Sequence, residues 1–211
     1  MSGLRVVACV LVSLLACGRA FGDASNCTAA GQQLYYPCSS CHGSAGEGNE
    51  AFGAPGLRGL SEAYLVRQLR QFTTGLRGFH PNDADGAEMT LLSRTLRSDA
   101  AVHAVACYIS SFAPLPQRTP TLTGNVHRGE ALYAACAACH GAQACGNEAL
   151  NAPSLRFSGD WYLKRQLLAY RQGWRGVNAN DPVAAGMHAA AAALADENAV
   201  DDVVSYIAHL R

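Results

Sequence analysis

Shifted by 98 residues, the 211-residue chain falls on itself without a gap. Cys38, Cys41 and His42 of "CSSCHG" land on Cys136, Cys139 and His140 of "CAACHG". "GNEAFGAPGLR" (48–58) lands on "GNEALNAPSLR" (146–156), "YLVRQL" (64–69) on "YLKRQL" (162–167), and "GLRGFHPND" (75–83) on "GWRGVNAND" (173–181). Such self-similarity means two copies of one structural unit, so whatever one half folds into the other must fold into too. Pro114, Pro116 and Pro120 crowd the run between the copies. They cannot continue a helix and favour an extended, stiff connection. The sequence thus divides into a first domain at 23–112, a linker at 113–122 and a second domain at 123–211. A domain of about 90 residues is small for a self-sufficient core, and small cores call for a staple: a disulfide, a metal or a cofactor.

The pattern predicts an all-α fold. Val102, Val105, Ile109 and Phe112 form one apolar stripe at helical spacing, with Ser98 placed as its N-cap. Val200, Val203, Ile207 and Leu210 repeat the stripe behind Asp196. Further helices are expected from about 62 to 72 and 160 to 170. Short ones around 31–36 and 129–134 lead into each CxxCH. No stretch alternates as a strand does, and glycine-rich runs such as "GSAGEGNEAFGAPG" read as loops.

The N-terminus carries Arg5 and then an apolar run from Val6 to Ala16, too short to span a bilayer but suited to a signal peptide. Cleavage after Gly22 makes 1–22 a leader and the protein an exported one. "Leu14-Leu15-Ala16-Cys17" also resembles a lipobox, and membrane association follows if Cys17 is lipidated. Plain cleavage is the favoured reading. No later segment is long and apolar enough to cross a membrane. Formal charge is zero, so nothing points to nucleic acid.

A cysteine pair at this spacing serves a zinc site, a redox dithiol or covalent haem attachment. The histidine behind it separates them. Two thiols that add to the haem vinyl groups fix the porphyrin, and the next residue on the same short helix then points at the iron. A shared zinc site would need cysteines of both repeats to converge and would leave both histidines idle. A redox dithiol expects a βαβ setting, which the pattern lacks. The expected cofactors are therefore two covalently bound haem c, on Cys38 and Cys41 and on Cys136 and Cys139, with His42 and His140 as iron ligands.

Of three methionines, Met1 leaves with the leader. Met89 and Met187 occupy equivalent positions, each 47 residues beyond its histidine, in what read as loops. One per CxxCH, they are the expected sixth ligands, as in the Met/His haems of cytochromes c. His80, His103, His127 and His209 recur in only one copy and read as surface or packing residues; so does His188, although it adjoins Met187 and could exchange with it. Among the remaining cysteines, Cys107 on the apolar helix reads as a buried free thiol, and a Cys27–Cys145 bridge could tie the domains together.

On these motifs, from about residue 25 to 211, the chain resembles the dihaem cytochrome c4 family. The resemblance implies two helical cytochrome c-like domains about a pseudo-two-fold axis, with haem edges close enough for rapid electron transfer. It also implies that the carbonyls of Pro55 and Pro153 accept a hydrogen bond from the proximal histidines. Arg58, Arg67, Arg156 and Arg165 recur in both copies and could hold haem propionates or be solvated helix charges. Doubly ligated irons favour an electron carrier in the respiratory chain, not an enzyme. Its expected partners are a quinol-oxidising complex and a terminal oxidase. A cytochrome subunit of a periplasmic dehydrogenase is the alternative, and a dihaem peroxidase, with one open iron, a more distant one.

Overall fold

The computed structural model describes residues 27, 29–114 and 120–210. The leader, Cys17 and residues 115–119 of the linker lie outside them. Eight helices follow in chain order: α1 (Ala29–His42), α2 (Glu62–Thr74), α3 (Ala84–Ser93), α4 (Asp99–Ser110), α5 (Val126–His140), α6 (Asp160–Arg171), α7 (Pro182–Ala192) and α8 (Glu197–His209). Among the described residues there is no strand, only the isolated bridges Asn49–Ala54 and Asn147–Ala152. α1–α4 and α5–α8 are the two copies.

In each copy the first helix packs against the last, and the second helix packs on both the third and the last. The crossing of first and last helices is set by glycine. A Cβ at Gly31 would run into the Ala104 carbonyl of α4, and one at Gly129 into the Asp202 carbonyl of α8. Two separate cores result. Tyr35, Leu65, Val66, Val102, Val105 and Ile109 fill the first. Tyr133, Leu163, Leu194, Val200, Val203, Val204 and Ile207 fill the second. The predicted apolar stripes are thus the inner faces of α4 and α8, capped by Ser98 and Asp196 as expected.

Two local expectations are corrected. The helix before each CxxCH does not stop short of it: α1 and α5 run on to His42 and His140, α1 carrying Pro37 within it. Met89 and Met187 lie on α3 and α7, not in loops. The "ND" pairs that suggested a loop instead supply the N-caps: Asp83 accepts from Gly86 N and Asp181 from Ala184 N.

The disulfide expectation also changes. Cys107 is no free thiol and Cys27 does not reach Cys145; Cys27 and Cys107 bond each other, with Cα atoms 5.5 Å apart. The bridge staples the segment before α1 to α4, inside one domain. At the equivalent place in the second copy Ser205 Oγ accepts from Gly124 N at 2.8 Å and Asp202 Oδ1 from Asn125 N at 2.6 Å. The linker's far end is held as well: Asp160 accepts from Thr121 N and from Leu122 N, at 2.6 and 2.9 Å.

Candidate functional site

The C-terminus of α1 delivers Cys38, Cys41 and His42 to one end of a continuous cavity of about 480 Å³. α5 delivers Cys136, Cys139 and His140 to the same cavity from the other domain. These four are the free cysteines among the described residues. Each turn beyond the motif is pinned from beneath: Tyr35 Oη donates to Gly43 O at 2.6 Å and Tyr133 Oη to Gly141 O at 2.8 Å. Burial pushes both phenols well above their ordinary value, which keeps them protonated donors.

Both histidines are buried, with 5% and 4% of their surface exposed. His42 Nδ1 lies 2.9 Å from Pro55 O, and His140 Nδ1 lies 2.9 Å from Pro153 O. A carbonyl only accepts, so Nδ1 carries the proton and Nε2 is left as the lone-pair donor. Burial pushes both imidazoles below their ordinary range, and the bonds to the proline carbonyls oppose that without overcoming it. Neutral rings with Nε2 free are what a metal requires.

Opposite His140, α7 brings Met187: Sδ lies 3.5 Å from Nε2. Met89 on α3 lines the same cavity as Cys38 and His42. His188 does not line the cavity, and its Nδ1 donates to the Tyr170 carbonyl at 2.5 Å. His80 stacks on Trp174 of the other domain, while His103, His127 and His209 are exposed. Among the described residues no three His, Cys, Asp or Glu side chains gather to hold a metal ion, so the four cysteines form no joint zinc site.

The four recurring arginines each have a partner within the polypeptide. Arg58 and Arg156 donate to the Ala113 and Gln143 carbonyls. Arg67 faces Asp181 at 3.6 Å, and Arg165 binds Asp85. None of the four is a plain solvated charge. The buried cations in the cavity are Arg77 and Arg175, which sequence reasoning passed over. Arg77 donates to Gln68 Oε1 at 2.7 Å and across the domains to Gln166 Oε1 at 3.0 Å and Tyr162 Oη at 2.9 Å. Arg175 mirrors it, reaching Gln166 Oε1 at 2.6 Å and Gln68 Oε1 at 2.5 Å. Burial pushes the Tyr162 phenol up, but the Arg77, Arg175 and Arg165 charges outweigh it and hold it below its ordinary value. Their signal was in the repeat: "LRG" at 76–78 and "WRG" at 174–176 put arginine at equivalent positions.

Each of these guanidiniums keeps a buried Nε without a partner, and among the described residues neither pairs with a carboxylate. Two buried positive charges with no carboxylate partner, lining a largely apolar cavity, are costly on their own. They suit a flat apolar group that brings carboxylates of its own, and haem, with two propionates, is such a group.

The family description Cytochrome c fits residues 28–113 and, a second time, residues 126–211. The chain belongs to the cytochrome c family. Within it this cytochrome is of the dihaem cytochrome c4 kind, and it carries two covalently bound haem c. It is 29% identical over 216 residues to cytochrome c4 of Pseudomonas aeruginosa, covering 98% of both chains. It is 36% identical over 169 residues to the thiosulfate dehydrogenase electron acceptor of Thiomonas intermedia, covering 75% of this chain and 72% of that one. The crystal structure of reduced recombinant cytochrome c4 from Pseudomonas stutzeri superposes with a TM-score of 0.67 at 30% identity, covering 88% of this chain and 97% of that one. The cytochrome is a dihaem electron carrier built of two tandem helical domains. No helix of the described residues is long and apolar enough to cross a membrane.

Proposed function

We propose that this cytochrome is exported, with residues 1–22 as its leader, and carries electrons in the periplasm with both irons closed to substrate. Cys38 and Cys41 hold one haem by thioether bonds and Cys136 and Cys139 the other. His42 and His140 would hold the irons through Nε2, with Met89 and Met187 each supplying a thioether as the second protein ligand. When bound, each haem supplies an iron that changes oxidation state by one electron. The chain's own residues set the conditions for that change. Pro55 and Pro153 carbonyls orient the imidazoles, thioether sulfur favours Fe(II) and raises the potential, and the apolar walls exclude water. Arg77 and Arg175 meet the propionates.

The observation that carries this reading is in the second domain, where the Pro153 carbonyl holds His140 Nδ1 and Met187 Sδ lies 3.5 Å from Nε2 of the same ring. Redox titration of the purified holoprotein, followed by visible spectroscopy, tests it. Two low-spin haems per chain with the weak sulfur-to-iron band are expected. A high-spin component, or carbon monoxide binding at both centres, overturns it.

Electrons arrive, in this reading, from a quinol-oxidising complex and leave to a terminal oxidase. The resemblance to a thiosulfate dehydrogenase electron acceptor favours a second reading, with a periplasmic dehydrogenase as the donor. Stopped-flow reduction by each donor type separates the two, because the true donor is expected to reduce the cytochrome with the much larger second-order rate constant.

A further inference from the structure

The repeat-related arginines of α2 and α6 both point out of their own domains. Arg165, on α6 of the second domain, binds two groups of the first. Its Nη1 pairs with Asp85, and its Nη2 donates to the Gly53 carbonyl at 2.8 Å. The Trp161 ring, 5.2 Å away, supports the guanidinium from its own helix. Asp85 sits one turn before Met89 on α3, and residues i and i+4 of a helix share a face. Gly53 lies two residues before Pro55, whose carbonyl fixes His42. A single side chain of the second domain thus bridges both walls of the first domain's site.

The counterpart runs the other way. Arg67, on α2 of the first domain, faces Asp181 at 3.6 Å. Asp181 caps α7, the helix that carries Met187. Here the grip is shared, since Gln71 of the first domain also donates to Asp181. Position 169, which matches Gln71, is alanine, so the Arg165 end has no such second donor.

We infer that Arg165 is a positioning residue for the other domain: it holds Met89 and the Pro55 loop in register with the first iron, so ligation in the first domain is set from the second. Arg67 does the same for Met187, with less effect because Gln71 remains. This rests on the methionine ligation proposed above.

The test uses the intact holoprotein. Met89→Ala and Met187→Ala first identify which part of the sulfur-to-iron band, and which of the two titration waves, belongs to each site. Arg165→Gln is then expected to weaken the band and lower the wave assigned to Met89, leaving those of Met187 as they were. Arg165→Lys should restore part of the effect, since it keeps the charge and loses the fork. Hydrogen exchange at the α3 amides should quicken by at least about fivefold, the low end of ordinary site-to-site coupling, while α7 stays protected. Asp85→Ala, which removes the acceptor, should quicken the same amides. An effect on the Met187 site, or on neither site, overturns the inference while leaving the ligation intact. Absence of the sulfur-to-iron band from the unaltered protein overturns the ligation itself.

Discussion

The Tyr133 hydroxyl donates to the Gly141 carbonyl in the turn after the second CxxCH. Tyr133→Phe keeps the ring in its core and removes one bond to that carbonyl, which still accepts from Ala144 N, a loss of about 0.5–1.5 kcal/mol, to be measured by chemical denaturation of the holoprotein. The axial sulfur is a different kind of residue, because its loss is local chemistry. Met89→Ala should open one iron and lower its potential while the wave of the other domain stays in place; equal loss in both waves would contradict two independent sites. Residues of this sort were legible in the sequence, since each cysteine, histidine and methionine occurs twice at one spacing. Arg77 and Arg175 recur just as faithfully and still escaped notice. Their importance lies in being buried against the opposite domain, which no local pattern records.

Among elements, the pairs α1–α4 and α5–α8 depend on glycine where they cross. Gly129→Ala forces a methyl group against the α8 backbone and should cost about 1–3 kcal/mol through overpacking, seen as a lower melting temperature of the second domain. The fastenings beside these crossings differ in chemistry. Removing the Cys27–Cys107 bridge by Cys27→Ser should cost the first domain about 2–4 kcal/mol. The second domain, whose equivalent segment is fastened by hydrogen bonds to Asp202 and Ser205, should not respond to that substitution. Helices with a full apolar stripe, α4 and α8, were plain in the sequence. α3 and α7 were not, because Gly86 and Gly186 interrupt weak patterns and their capping aspartates read as loop formers. The bridge could not be read either, since three spare cysteines allow several pairings and only the packing of the first segment on α4 selects one.

At the scale of the whole molecule, a carboxylate holds the described far end of the linker. Burial pushes the Asp160 carboxyl up, but hydrogen bonds from the Leu122, Thr121 and Trp161 amides and the Thr121 hydroxyl outweigh it and hold it below its ordinary value. A folded value below the unfolded one means the contribution is complete above the ordinary aspartate pKa of about 3.9. It fades as pH falls through the lower folded value. Acid unfolding of Asp160→Asn should therefore be less steep in that window than that of the unaltered protein, read by circular dichroism across a pH series. The centre of the molecule behaves differently, because it belongs to neither half. Gln68 accepts from both buried guanidiniums, and Gln166 accepts from both as well. Arginine and glutamine of one copy therefore match the glutamine and arginine of the other, the self-complementary pattern of a two-fold interface. A single copy carries both halves of its own lock and key, so the polypeptide is in effect a homodimer whose subunits have been joined end to end.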